Sequence, residues 1–240
     1  MKALALARLL QIASQALPIG GYSHSQGLES AAEHRVVLDE ATALRWIADV
    51  LEYSMLSFEI PMLLMMAGAW EGDSDARTTA VVRTLNEEFL ATRESAELRA
   101  ASVQMGYSMM ALVQVLPDFP ADILERLRSI AEPSLPCVWS AASAAWHIGT
   151  SESALAYAWS WSENQVLAAI KTVPLGQSSG QRMLLEIGTR LAAAFDRDAA
   201  AARDPTNHAD RRSDRRSNFS PALAILSSQH ETQYSRLFRS

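Results

Sequence analysis

One cysteine, Cys137, stands in a chain of 240 residues. An intrachain disulfide is therefore excluded, no thiolate set exists for a structural metal centre, and a reducing, cytoplasmic setting is expected. Lysine is nearly as scarce, with Lys2 and Lys171 alone against nineteen arginines. Strand signals are lacking: no stretch alternates apolar and polar side chains, and Val, Ile and Thr never cluster, so a β-sheet has nothing to build on. A basic bulk is missing too, and the whole chain's formal charge of −6 argues against nucleic acid as a partner. No repeat of fixed period occurs, which excludes a solenoid.

Catalytic and ligand signatures are absent as well. There is no Gly-Lys-Ser/Thr phosphate loop, no Gly-x-Gly-x-x-Gly turn and no His-Glu-x-x-His pair, so neither nucleotide nor metal binding by this chain is expected. The five histidines are scattered. His24, in a Gly/Ser island, is the best of them for a metal, but a lone histidine is more ordinarily a hydrogen-bonded side chain. Glu87, Glu88 and Glu94 lie near Arg83 and Arg93 on a helical pattern and read as a solvated face. Cys137 reads as a small buried hydrophobe. No catalytic residue is assigned, and the chain is not expected to be an enzyme; a helical hydrolase or lyase using Glu87, Glu88 and His147 is the rival reading, beside a generic helical adaptor.

Long hydrophobic runs are interrupted. Ala100–Pro117 and Pro133–Ser151 approach the length of a membrane span but carry Ser, Gln, Gly and His, and the Leu/Ala-rich start is broken by Arg8 and Gln11, so neither a span nor a leader is expected.

What is present is helical periodicity, in a chain of 49% hydrophobic residues. Leu6, Leu9, Leu10, Ala13 and Leu17 predict a first helix ended by Pro18, and Ser23 with Gln26 has capping-box form before a second. Asp39 caps a third, and Pro61 opens a fourth. A helical pattern from Asp75 to Leu116 is too long for one element and predicts a break near Thr92–Ser95 or Gly106. Further helices are expected over 121–131, 135–148, 152–171, 179–196 and 221–238. The fold class is all-α, about ten helices in a single bundle-like domain over 1–198, followed by a linker over 199–218 and a docking helix over 219–240. The last region places Leu223, Leu226, Tyr234 and Leu237 on one stripe, interrupted by His230, and a mixed aromatic-polar stripe suits a partner interface.

Three islands of Gly, Ser, Gln and aromatic residues remain. They are Pro18-Ile19-Gly20-Gly21-Tyr22-Ser23-His24-Ser25-Gln26-Gly27-Leu28-Glu29, Val173-Pro174-Leu175-Gly176-Gln177-Ser178-Ser179-Gly180-Gln181-Arg182, and His230-Glu231-Thr232-Gln233-Tyr234-Ser235-Arg236-Leu237-Phe238-Arg239-Ser240. In this order, with Arg93-Glu94 and Leu98-Arg99 between them, they resemble the UreF family of urease accessory proteins. The resemblance implies a helical homodimer that joins UreD (also called UreH) and the nickel-carrying GTPase UreG, and that helps pass nickel to apo-urease. It implies no resident cofactor: nickel passes through the assembly and UreG binds the GTP. Tyr22 and Glu29 match the family's N-terminal motif. Lys171, Gln177 and Arg182 match the region tied to UreG, and His230, Tyr234 and Arg236 lie in the tail tied to UreD. Arg182 is the candidate for an arginine finger, against a structural pairing with Glu186.

Overall fold

The computed structural model describes residues 1–72, 75–203 and 216–240. Its described residues form helices, turns and loops without a strand, so the protein is all-α. The expected linker, 199–218, falls largely outside the described residues. Two compact units interleave along the chain: Met1–Gly21 with Met62–Ala156, and Tyr22–Pro61 with Tyr157–Ser240.

In the first unit, α1 (Ala3–Ala13) buries Ala5, Leu9 and Ile12, and ends short of the expected Leu17 as Ser14 turns extended. The long pattern after Asp75 divides at the expected place, between α5 (Ala76–Ala91) and α6 (Ala96–Val115). Each start is capped: Asp75 accepts the Thr78 amide at 2.8 Å and Ser95 accepts that of Leu98 at 3.2 Å. After α7 (Ala121–Arg128), α8 (Leu135–Ala145) packs against α6. Gly106 makes this approach feasible, since a Cβ there would lie 2.0 Å from the Pro133 carbonyl oxygen. Asn86 fixes the same loop, donating to the Glu132 carbonyl and accepting from the Ser134 amide, both at 2.9 Å.

The second unit supplies the setting for the islands. Its α2 (Leu28–Glu33) starts later than the Ser23–Gln26 pattern predicts, because Gln26 and Gly27 both take positive φ, 51° and 86°. Asp39 caps α3 (Glu40–Val50) through a capping box closed by Thr42. A π-helical stretch, Leu51–Glu59, then leads without interruption into α4 (Ile60–Glu71), which continues into the first unit. Pro61 thus lies inside a continuous helix and has no N–H to offer the Ser57 carbonyl four residues earlier. The Ser217 amide takes that oxygen at 3.2 Å, and the Ser57 hydroxyl donates to the Ser217 carbonyl at 2.8 Å. By length and composition the stretch Glu40–Glu71 is long and apolar enough to cross a membrane, yet two-thirds of its apolar window is buried inside the protein, as in a core helix.

The unit is completed by α9 (Thr150–Thr172), α10 (Gln177–Arg203) and α11 (Pro221–His230). The first of these begins in the other unit. Helix α10 runs seven residues beyond the expected 196, into the segment expected to be linker. Conversely, α11 stops at His230 where a helix to 238 is expected. The stripe of Leu223, Leu226, Tyr234 and Leu237 therefore does not exist: Leu223 and Leu226 are buried, α11 packs on α2, and Tyr234 and Leu237 lie beyond the helix end, exposed.

Candidate functional site

Residues 22–29 of the first island and the third island meet in the second unit. Residues 231–240 leave α11 as an irregular strap that returns over the turn before α2, and the bonds holding it are mostly to main-chain atoms. Glu29, in the first turn of α2 and buried, accepts the Leu237 amide at 2.6 Å and the Phe238 amide at 2.9 Å. His230 Nε2, fully buried at the end of α11, lies 3.1 Å from the same carboxylate. The Arg239 amide donates to the Ser23 carbonyl at 2.8 Å, and the Ser240 main-chain oxygen accepts from the Ser25 and Gln26 amides. Successive amides of the turn thus form a small cradle for an oxygen, made available by the positive φ at Gln26 and Gly27.

Side chains of α9 brace the turn from beneath. Asn164 donates to the His24 carbonyl at 2.9 Å, and the Trp161 indole donates to Gln26 Oε1 at 2.5 Å. Gln26 is thereby spent on α9 and caps no helix. His24 is buried with Nδ1 2.7 Å from the Ser240 hydroxyl. Burial first, and then the charge of Arg239, push its pKa down to about 4, so the ring is neutral near pH 7. Histidine 24, the best metal candidate in the sequence, is here a structural bridge between turn and tail. Among the described residues no three His, Cys, Asp or Glu side chains gather as a metal site would require.

The second island contributes through its leading lysine. Lys171, in the last turn of α9, places Nζ 5.9 Å from the Tyr22 ring centroid and 5.4 Å from that of Phe238. Phe238 is buried while Tyr22 is 60% exposed, so the ammonium lies between a core ring and a surface ring. Tyr22, Glu29, Lys171 and His230 are therefore gathered around the strap. Tyr234 and Arg236 stand on its exposed part.

Gln177 and Arg182 stand on the first turns of α10. Gln177 is exposed. The arginine does not pair with Glu186: its Nε and a terminal nitrogen reach the two Glu40 oxygens at 2.9 and 2.5 Å, because α3 packs against α10. This bidentate contact lowers the Glu40 pKa, with the Arg182 hydrogen bond the larger cause and Ser179 the next. Glu186 instead pairs with Arg190 at 3.0 Å.

Phe238, Ser240, Trp161, Asn164 and Glu40 belong to this region and sequence reasoning passed over their roles. Phe238 carried a signal, being the bulky apolar residue inside a polar tail. The others carried none, since their partners are more than a hundred residues away in sequence.

A model of the UreF family matches residues 37–188. The chain belongs to the UreF family. It is 50% identical over 239 residues to the urease accessory protein UreF of Dechloromonas aromatica (strain RCB), covering 99% of this chain and 98% of that protein. The corresponding protein of Azoarcus sp. (strain BH72) is 49% identical over 239 residues, covering 99% and 96%. That of Janthinobacterium sp. (strain Marseille) is 42% identical over the full length of both chains. The family model spans the second island, while the full-length UreF relatives also span the turn and the strap.

Proposed function

We propose that this protein is a urease maturation factor, a nickel-insertion chaperone acting in the cytoplasm as a homodimer. It bridges UreD (UreH) and the GTPase UreG, and so regulates GTP-dependent delivery of nickel to apo-urease, while catalysing no step itself. The observation that carries this reading is the convergence of the first and third islands with Lys171 into one polar, largely main-chain network. Such a network organises a surface for protein contact, with Tyr22, Tyr234 and Arg236 outermost, and aromatic and Arg side chains are the usual anchors of interfaces. Lys171 supplies a cation for an acidic partner surface. Arg182 is held by Glu40, which favours a structural role for it over an arginine finger.

The test is reconstitution with purified UreD, UreG, apo-urease, nickel and GTP. The tagged chain should retain UreD and UreG together, and urease activity should depend on its presence. Full activation without it would overturn the proposal. Lys171→Ala should weaken UreG capture several-fold and spare UreD. Equal loss of both would instead mean that the strap had shifted, because the same ammonium lies over Phe238.

A further inference from the structure

The Glu29 carboxylate is 6% exposed at the residue level and both of its oxygens are engaged by the strap, so a partner docking on the intact surface does not reach it. Its two bonds go to consecutive amides. In an extended strand consecutive N–H groups point to opposite sides, so two of them on one carboxylate fix a local bend at Leu237–Phe238. At this bend the Phe238 ring is buried and Leu237 lies outside, 73% exposed, next to exposed Arg236 and Tyr234. His230 Nε2 on the same carboxylate ties the point where the strap leaves α11 to the point where it bends back. The strap's far end has its own anchors, the Ser23 carbonyl and the Ser25 and Gln26 amides.

We infer that Glu29 is a positioning residue, whose buried carboxylate sets the path of residues 231–238 and thereby presents Tyr234, Arg236 and Leu237, while making no contact with the partner itself. The partner step rests on the proposed function above; the positioning step does not. If only the docked strap binds, apparent affinity falls in proportion to the docked fraction. Losing a buried charged acceptor of this kind lowers the docking equilibrium constant about ten- to a hundredfold, and the docked fraction falls with it once undocking becomes appreciable.

The experiment uses the full chain with Glu29→Gln, which keeps the shape but turns an N–H donor toward amides that are themselves donors. Amide exchange at Leu237 and Phe238 is measured in the chain alone, and affinity for UreD is measured in parallel. The expected result is exchange faster by about ten- to a hundredfold at those amides, and UreD binding weaker by the fall in docked fraction that this exchange reports. Unchanged exchange overturns the inference. So does a loss of affinity with exchange unchanged, which would make Glu29 a direct contact, or an affinity that does not follow the docked fraction reported by exchange. Should Glu29→Gln fail to fold, Glu29→Asp keeps the charge and withdraws the oxygens by one methylene, and must move both readouts together. If the unaltered chain captures no UreD, the proposed function fails, and exchange alone still decides whether Glu29 sets the strap.

Discussion

Burial of His24 under the strap has a consequence in solution. Its pKa is lowered from an ordinary 6.5 to about 4, so between those values the unfolded chain binds a proton that the native state refuses. Stability therefore rises with pH across this window. The contribution is complete above about pH 6.5 and is lost as the pH falls toward 4, on the order of 3 kcal/mol in all. Urea unfolding should show a midpoint falling between pH 7 and pH 5. In His24→Asn, which keeps a polar partner for Ser240 without a titrating ring, that fall should shrink; an equally steep dependence in the variant would assign the effect to other groups. At the same scale Cys137 agrees with its reading as a small hydrophobe, since burial pushes the thiol up to about 12 and leaves no thiolate at neutral pH. The sequence signalled that outcome by the lack of any motif around it. It could not signal that Arg182 would choose Glu40 over Glu186, because helical spacing offers only neighbours on the same helix.

Helix ends are where local chemistry and tertiary demand diverge. Asp39 caps a helix as its sequence predicts, and Asp75 and Ser95 do the same unpredicted, since a cap needs only an oxygen and an amide three residues on. Ser23 and Gln26 have the same form and make no cap, because the Gln26 side chain finds Trp161 and its backbone turns left-handed. Helix α11 likewise stops at His230 although the pattern continues, because Glu29 and the turn offer the strap's amides partners outside a helix. Deleting 219–240 would for that reason strip Leu223 and Leu226 from the core along with the strap, and a cut after Glu231 separates the two effects. The contact of α6 with the loop before α8 gives a prediction of its own. Gly106→Ala would gain about 1 kcal/mol in helix propensity. It must also displace the Pro133 carbonyl from 2.0 Å, an overpacking that costs about 1–3 kcal/mol or more. A net loss of stability in urea titration is expected; a more stable variant would show that the loop yields freely.

For the whole molecule, the turn before α2 and the C-terminal strap, two hundred residues apart in sequence, act in one unit. Lys171 lies near both the Tyr22 ring and that of Phe238, which is two positions from Arg236 in sequence, so changes at Tyr22 and Arg236 should perturb one surface. Tyr22→Phe and Arg236→Ala should each impair urease activation, and the double variant should be no worse than the more severe single one. Additive losses in UreG recruitment would assign the two residues to separate interfaces.

The amino-acid sequence by itself determined the all-α class, the break before α6, the Asp39 cap and the family, because these follow from periodicity, from contacts a few residues apart and from the order of three motifs. Only the tertiary structure decided which residues of those motifs face outward. Glu29 and Tyr22 stand seven positions apart in one island, yet one is buried under the strap and the other exposed. His230 and Tyr234, four apart, divide in the same way. Spacing within a motif carries no information about burial when the covering segment comes from two hundred residues away. The hydrogen bonds that fix it run chiefly to backbone amides, which every sequence possesses, so the fold had to bring a particular carboxylate to them.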